Sequence, residues 1–210
     1  MSSQQQREPV NVRVTGVGAF VPDQAVSNEA IARAIPGWSA ERIGEKLFIE
    51  ERRFLWELDA DAGRTLPPEG GGLAPDGSGV PASNTDMCHL ALRRALDMAG
   101  TDAAELDALF VVTCTPDRLN FNHDAMELHR RLGLRTDAFA FVVDDGCGGT
   151  PYVMDMAYRM IRNGAFRRVA VVGSAFTSPL VNRDVYTQEV APAPGRKPLN
   201  AYLSMYVFGD

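Results

Sequence analysis

Three short, almost unbroken apolar runs stand out in the second half of the chain: Leu106 to Thr113 (LDALFVVT), Ala138 to Val143 (AFAFVV) and Val169 to Gly173 (VAVVG). Runs of this length, rich in Val and Phe, predict strands covered on both faces. Between them the spacing turns helical. His123 to Leu132 predicts a helix stopped by Gly133, and Gly148 to Arg162 one stopped by Asn163-Gly164. Upstream, Asn84 to Met98 predicts a helix with Met87, Leu90, Ala91, Ala95 and Leu96 on one face and a stop at Gly100. Val10 to Val21 alternates in part and is rich in Val, which predicts a strand ended by Pro22-Asp23. Ser27 and Asn28 open a short helix, with Asn28 in the capping position, and Pro36-Gly37 breaks it. A second helical stretch starts near Trp38 and Ser39, and Leu203 to Phe208 predicts the start of one more strand.

Strand–helix–strand alternation with covered strands predicts an α/β fold, a mostly parallel sheet flanked by helices. Residues 1–9 read as a polar, disordered tail, and 10–210 as one continuous unit. Its interruption at 59–82, dense in Gly, Pro and Asp, reads as a loop. At Phe208-Gly209-Asp210 neither a cap nor a polar tail appears, so the fold is expected to continue beyond this chain.

Composition narrows the function. With 21 basic and 27 acidic residues the net charge is −6. That argues against a nucleic-acid or anionic-membrane binder, each of which needs a basic face. No apolar run is long enough to span a bilayer, and no signal-peptide pattern opens the chain, so a cytoplasmic address is the default expectation. Cys88, Cys114 and Cys147 are too few and too scattered for a disulfide framework or a metal knuckle.

The segment FAFVVDDGCGGTPY (Phe139 to Tyr152) carries the most chemistry. A strand ends at Val143, a tight turn follows, and Cys147 opens a helix between Gly146 and Gly148-Gly149. Glycines there permit a sharp turn and let a substrate approach the sulfur. A helix N-terminus also favours negative charge and so supports a thiolate nucleophile. The competing reading is a structural cysteine in a glycine-rich turn. Asp144 and Asp145 complicate the first reading, since adjacent carboxylates oppose a thiolate. Either they bond backbone amides of the turn, or one of them orients a second substrate.

Taken in order, these segments resemble the N-terminal half of the 3-oxoacyl-[acyl-carrier-protein] synthase III family, of the thiolase-like superfamily. The matches are TGVGAFVPDQAVSN (Thr15 to Asn28); Trp38, Arg42 and Gly44 followed by IEERR (Ile49 to Arg53); the helix from Asp86; LDALFVVTCTPD; FVVDDGCGGT; GAFRRVAVVGS; and VFGD. The resemblance implies that Cys147 is the acylated residue and that Trp38 and Arg42 pack against the adenine of coenzyme A. It implies that Phe121 reaches across a dimer interface into a partner subunit's acyl pocket. Phe121, together with Asp144, Asp145 and Gly148 of the turn, is expected to line the substrate pocket. The alternatives are core packing for Trp38 and Phe121 and a solvated helix position for Arg42. Substrates would be coenzyme A or phosphopantetheine thioesters, with no tightly bound cofactor and no metal. The partners implied are a C-terminal half of the same fold, a second copy of the assembled unit and an acyl carrier protein. The family's catalytic His and Asn fall outside this chain. His89, His123 and His129 do not match them, and only His123 lies on a loop near Phe121.

The resemblance implies condensation of an acyl donor with a malonyl-type acceptor, in fatty-acid or specialised-metabolite biosynthesis. The Asp-Asp turn, where the family has small residues, leaves open acyl transfer to a hydroxyl, amine or thiol. A third reading is a non-catalytic subunit that shapes an active partner's pocket.

Overall fold

A computed structural model describes residues 11–118, 120–121, 123–184 and 202–210. The expected tail at 1–9 lies outside them. The described residues fall into two compact units, one within Met1–Ala19 and Cys88–Ser174, the other within Phe20–Met87 and Ala175–Asp210.

The second of these units contains β1 (Ala25–Ser27), α1 (Asn28–Ala34), α2 (Ala40–Leu47) and β2 (Glu51–Arg53), with β1 antiparallel to β2. Ser27, not Asn28, caps α1, its hydroxyl accepting from the Ala30 N–H. Asn28 instead donates to Ile49 O at 2.7 Å. The expected loop at 59–82 holds two small antiparallel hairpins. They are β3 (Glu57–Asp59) with β4 (Arg64–Leu66), and β5 (Gly72–Leu73) with β6 (Gly79–Val80). Gly63 lies in the turn of the first hairpin, and Pro75 and Gly77 in the turn of the second.

The other unit is built around a parallel sheet. α3 (Asn84–Ala99) begins in one unit and runs into the other, where β7 (Ala108–Val112), α4 (Asp124–Leu132), β8 (Phe139–Val143), α5 (Gly149–Arg162) and β9 (Val169–Gly173) follow. The strand order is β8-β7-β9. Alternation along β7 sorts the two faces. Leu109 and Val111 pack with Leu92, Ala125 and Leu128 of α3 and α4, while Ala108, Phe110 and Val112 pack with Val153 and Ala157 of α5. Every residue of β7 is buried. Among the described residues β8 and β9 each pair with β7 alone, and neither is the fully covered strand expected: Phe139 and Phe141 of β8 are partly exposed, and β9 has one buried residue.

Two further expectations fail. Leu203–Val207 forms a helix, α6, not a strand. Residues 11–21 form no strand, and Val14, Val17 and Val21 are exposed. Alternation alone does not make a strand without a neighbour to bond. Residues 16–19 lie along α3 instead. A Cβ on Gly16 would come within 2.1 Å of Ala95 O, and one on Gly18 within 2.3 Å of Ala91 O. Arg94 donates to Ala19 O.

On α4, Glu127 bonds Arg130 at 2.7 Å and Arg131 at 2.6 Å. The Arg130 hydrogen bond, with Arg131 behind it, holds the Glu127 carboxyl down at about 2. A depressed carboxyl stabilises the fold fully above its unfolded value and loses that contribution as pH falls through the folded one. An acid titration of unfolding should therefore lose up to about 1 kcal/mol, the scale of a solvent-screened pair, between roughly pH 4.5 and 2. Glu127→Gln should flatten that window, and an unchanged profile in the variant would show that the pair contributes nothing.

Candidate active site

The topology selects one end of the sheet. The connection from β7 to β8 runs through α4 on one face, and the connection from β8 to β9 runs through α5 on the other. Loops leaving neighbouring parallel strands towards opposite faces open a crevice at the strands' carboxyl ends, where α/β sheets bind ligands. Both the β7–α4 and the β8–α5 loops start there.

In the β8–α5 loop, Gly146 has φ +51°, a conformation that a side chain disfavours. Gly146–Gly148 form one 3-10 turn, and α5 begins at Gly149 with Gly148 as its N-cap. Cys147 thus precedes the cap rather than opening the helix as expected, and it is exposed. Gly149 is buried, and a Cβ there would sit 2.6 Å from Val112 Cγ1. The missing side chain lets α5 start directly over the end of β7. Cys147 is consequently displayed at the carboxyl end of the sheet, beside the positive end of a 14-residue helix.

Asp144 and Asp145 are exposed, and Asp145 makes no capping hydrogen bond. Asp144 instead lines a cavity of about 490 Å³, together with Thr113, Cys114 and Pro116 of the β7–α4 loop and Ala125, Met126 and Phe141. Cys114 is exposed in that wall, two residues beyond the end of β7. Cys88 is buried in the core of α3, and burial pushes its thiol up to about 12.

Phe121, on the same loop, is 84% exposed with φ +57°. Among the described residues it packs in no core. A bulky residue in the left-handed region is a strained one, of the kind found where a side chain is held for contact. His123 precedes α4, exposed and without a side-chain capping bond. His129 is engaged at 2.9 Å with Arg135 O, and His89 is fully buried.

Trp38 and Arg42 belong to the other unit. Ser39 caps α2 by accepting from the Arg42 N–H, which puts the guanidinium 4.7 Å from the centre of the Trp38 ring. The indole also stacks on Tyr206, centroids 5.6 Å apart and planes 19° apart. A base placed between indole and guanidinium needs roughly 7 Å, two contact distances. Arg42 is exposed and has room to swing outward. Tyr206 is the participant that sequence reasoning missed, since an aromatic within LSMYVF reads as core.

Among the described residues, no helix is long and apolar enough to cross a membrane, and no group of His, Cys, Asp and Glu is arranged to hold a metal.

Residues 141–195, which include the Cys147 turn, match the family model described as 3-oxoacyl-[acyl-carrier-protein (ACP)] synthase III. The chain is 33% identical over 162 residues to the beta-ketoacyl-[acyl-carrier-protein] synthase III of Alkalilimnicola ehrlichii, covering 77% of this chain and 42% of that protein. It is 32% identical to that of Phocaeicola vulgatus, covering 83% and 45%. The chain therefore spans a little under half the length of these curated relatives. Among solved structures, the priming beta-ketosynthase of the R1128 polyketide pathway superposes with a TM-score of 0.63 at 24% identity, over 100% of this chain and 50% of that one. The 3-oxoacyl-[acyl-carrier-protein] synthase III of Aquifex aeolicus gives 0.60 at 22% identity, over 78% and 44%. The fold is thiolase-like.

Proposed function

We propose that this chain, which belongs to the 3-oxoacyl-[acyl-carrier-protein] synthase III family, takes an acyl group onto Cys147 and presents it to a second substrate. The observation that carries this reading is the exposed Cys147 on its glycine turn, at the carboxyl end of the parallel sheet. The Cys147 thiolate attacks the thioester carbonyl. Backbone N–H groups of the turn stabilise the oxyanion, and the pantetheine thiol leaves, taking up a proton. Coenzyme A or a phosphopantetheine carrier serves as donor, and no tightly held cofactor is required.

The donor's adenosine end goes to Trp38 and Arg42. Arg42→Ala is expected to raise the Kd for acyl-coenzyme A about tenfold while leaving the rate at saturating donor within twofold, the signature of lost uniform binding. Isothermal titration with single-turnover kinetics checks this, and an unchanged Kd would remove Arg42 from the donor site.

For the acceptor, condensation with a malonyl-type thioester is the first reading, set by the family. Asp144 in the cavity wall favours a second one, transfer to a hydroxyl or amine whose proton the carboxylate takes. A homodimer joined along β8 accounts for Phe139 and Phe141 on an edge strand and for exposed Phe121, with an acyl carrier protein as a further partner. In the full-length protein, mixing with acyl-coenzyme A should release one free thiol per chain before any acceptor is added. Carbon dioxide release on adding a malonyl thioester then marks condensation, and its absence with product formed from an alcohol or amine marks the alternative. No burst of thiol at all would refute acyl transfer through this chain.

A further inference from the structure

The donor platform just proposed has a third member. Tyr206 is the largest fully buried side chain among the described residues, and it is held at every end. Its hydroxyl donates to Pro36 O at 2.7 Å and accepts from the Trp38 N–H at 3.3 Å. Its ring stacks on the indole of Trp38. Its carbonyl accepts from Arg52 at 2.8 Å, and the same guanidinium nitrogen is bonded to Asn28 Oδ1 at 2.8 Å. Arg52 is 5% exposed, so this clamp is built into the core.

We infer that Tyr206 is a positioning residue that sets the Trp38 indole for a purine base. The inference rests on the donor reading of Trp38 and Arg42. Trp38 follows Pro36-Gly37, the break between α1 and α2, where Gly37 has φ +124° and no helix hydrogen bond restrains the backbone. The Tyr206 hydroxyl supplies that restraint on both sides of the break. The Tyr206 ring also takes up one face of the indole. A base therefore stacks on the face that Tyr206 leaves open, and the exposed Arg42 closes over it. The half of the donor that Tyr206 governs is the nucleotide, not the pantetheine arm.

The test uses Tyr206→Phe in the full-length protein, which keeps the stacked ring and removes the hydroxyl. Two acyl donors are compared, an acyl-coenzyme A and the matching acyl-pantetheine, which lacks the nucleotide. Wild type should acylate from the coenzyme A donor at a KM at least tenfold lower. Tyr206→Phe should lose about tenfold of that preference, the worth of one or two ordinary hydrogen bonds. Its kcat and its acylation by acyl-pantetheine should not move, whereas a merely destabilised protein would lose both alike. Thermal melting of the variant confirms that the comparison is made on folded protein. If Tyr206→Phe keeps the full preference, or loses both donors equally, Tyr206 does not position the platform. If wild type shows no preference, or Trp38→Ala retains it, the donor reading itself falls.

Discussion

Full-length protein incubated with an acyl-coenzyme A should gain the mass of one acyl group per chain, and peptide mapping should place it on Cys147. Cys147→Ser and Cys147→Ala should gain none. The effect is all-or-none because each of the other thiols lacks what the reaction needs. Cys88 is buried, and its thiol, raised to about 12 by that burial, stays protonated at neutral pH. Cys114 is exposed, but it follows a strand on the β7–α4 loop and has no helix beginning beside it. Only Cys147 joins exposure, flanking glycines and the start of α5. A neutral alkylating reagent separates the three further. It should modify Cys147 and Cys114 in the folded protein, and Cys88 only after unfolding. Acyl mass on Cys114 with Cys147 unmodified, or unchanged labelling in Cys147→Ala, would overturn the assignment.

The chemistry was more legible than the sheet around it. Gly-Cys-Gly after an apolar run marks a strand–turn–helix because few residues other than glycine tolerate φ +51° at position 146, and that local requirement is written in the residue itself. Likewise α3, α4 and α5 follow from helical spacing and from the stops at Gly100, Gly133 and Asn163-Gly164. What the sequence withheld was which strand has neighbours. AFAFVV and ALFVV look alike, yet among the described residues β7 is central and β8 lies at an edge, a matter of strand order that period and composition do not encode. Residues 11–21 fail for the same reason, having a strand's pattern but no partner among the described residues. The hairpins at 57–80 were hidden by their own turn residues. Tyr206 was hidden by burial, since nothing in LSMYVF distinguishes a ring that fills space from a ring whose hydroxyl holds the Trp38 loop.

Asp210→Ala should cost about 3 kcal/mol of stability, the scale of several orphaned partly buried donors. The VFGD segment was recognised only as a family match, and the structure gives its aspartate a physical task. One carboxylate oxygen accepts from the Thr177 and Ser178 N–H groups, the latter at 2.8 Å, and from the Thr177 hydroxyl at 3.1 Å. The other accepts from the Leu55 N–H at 2.7 Å and from the Ser178 hydroxyl. Ser178 passes the constraint on, because its hydroxyl also accepts from the Trp56 N–H at 3.1 Å and its carbonyl from the Thr65 hydroxyl at 2.5 Å. Removing the carboxylate therefore frees the turn at Ser178–Leu180, Trp56 and β4 together. In urea the midpoint should fall by about 1.5 M, for a slope typical of small proteins. Hydrogen exchange supplies the sharper reading, since the Leu55, Thr177 and Ser178 amides should lose protection first. Asp210→Asn should lie between, because its oxygen can still serve the Thr177–Ser178 side while its NH₂ faces the Leu55 N–H and the Ser178 hydroxyl. Equal protection of those three amides in wild type and Asp210→Ala would show that the carboxylate does not hold the turn.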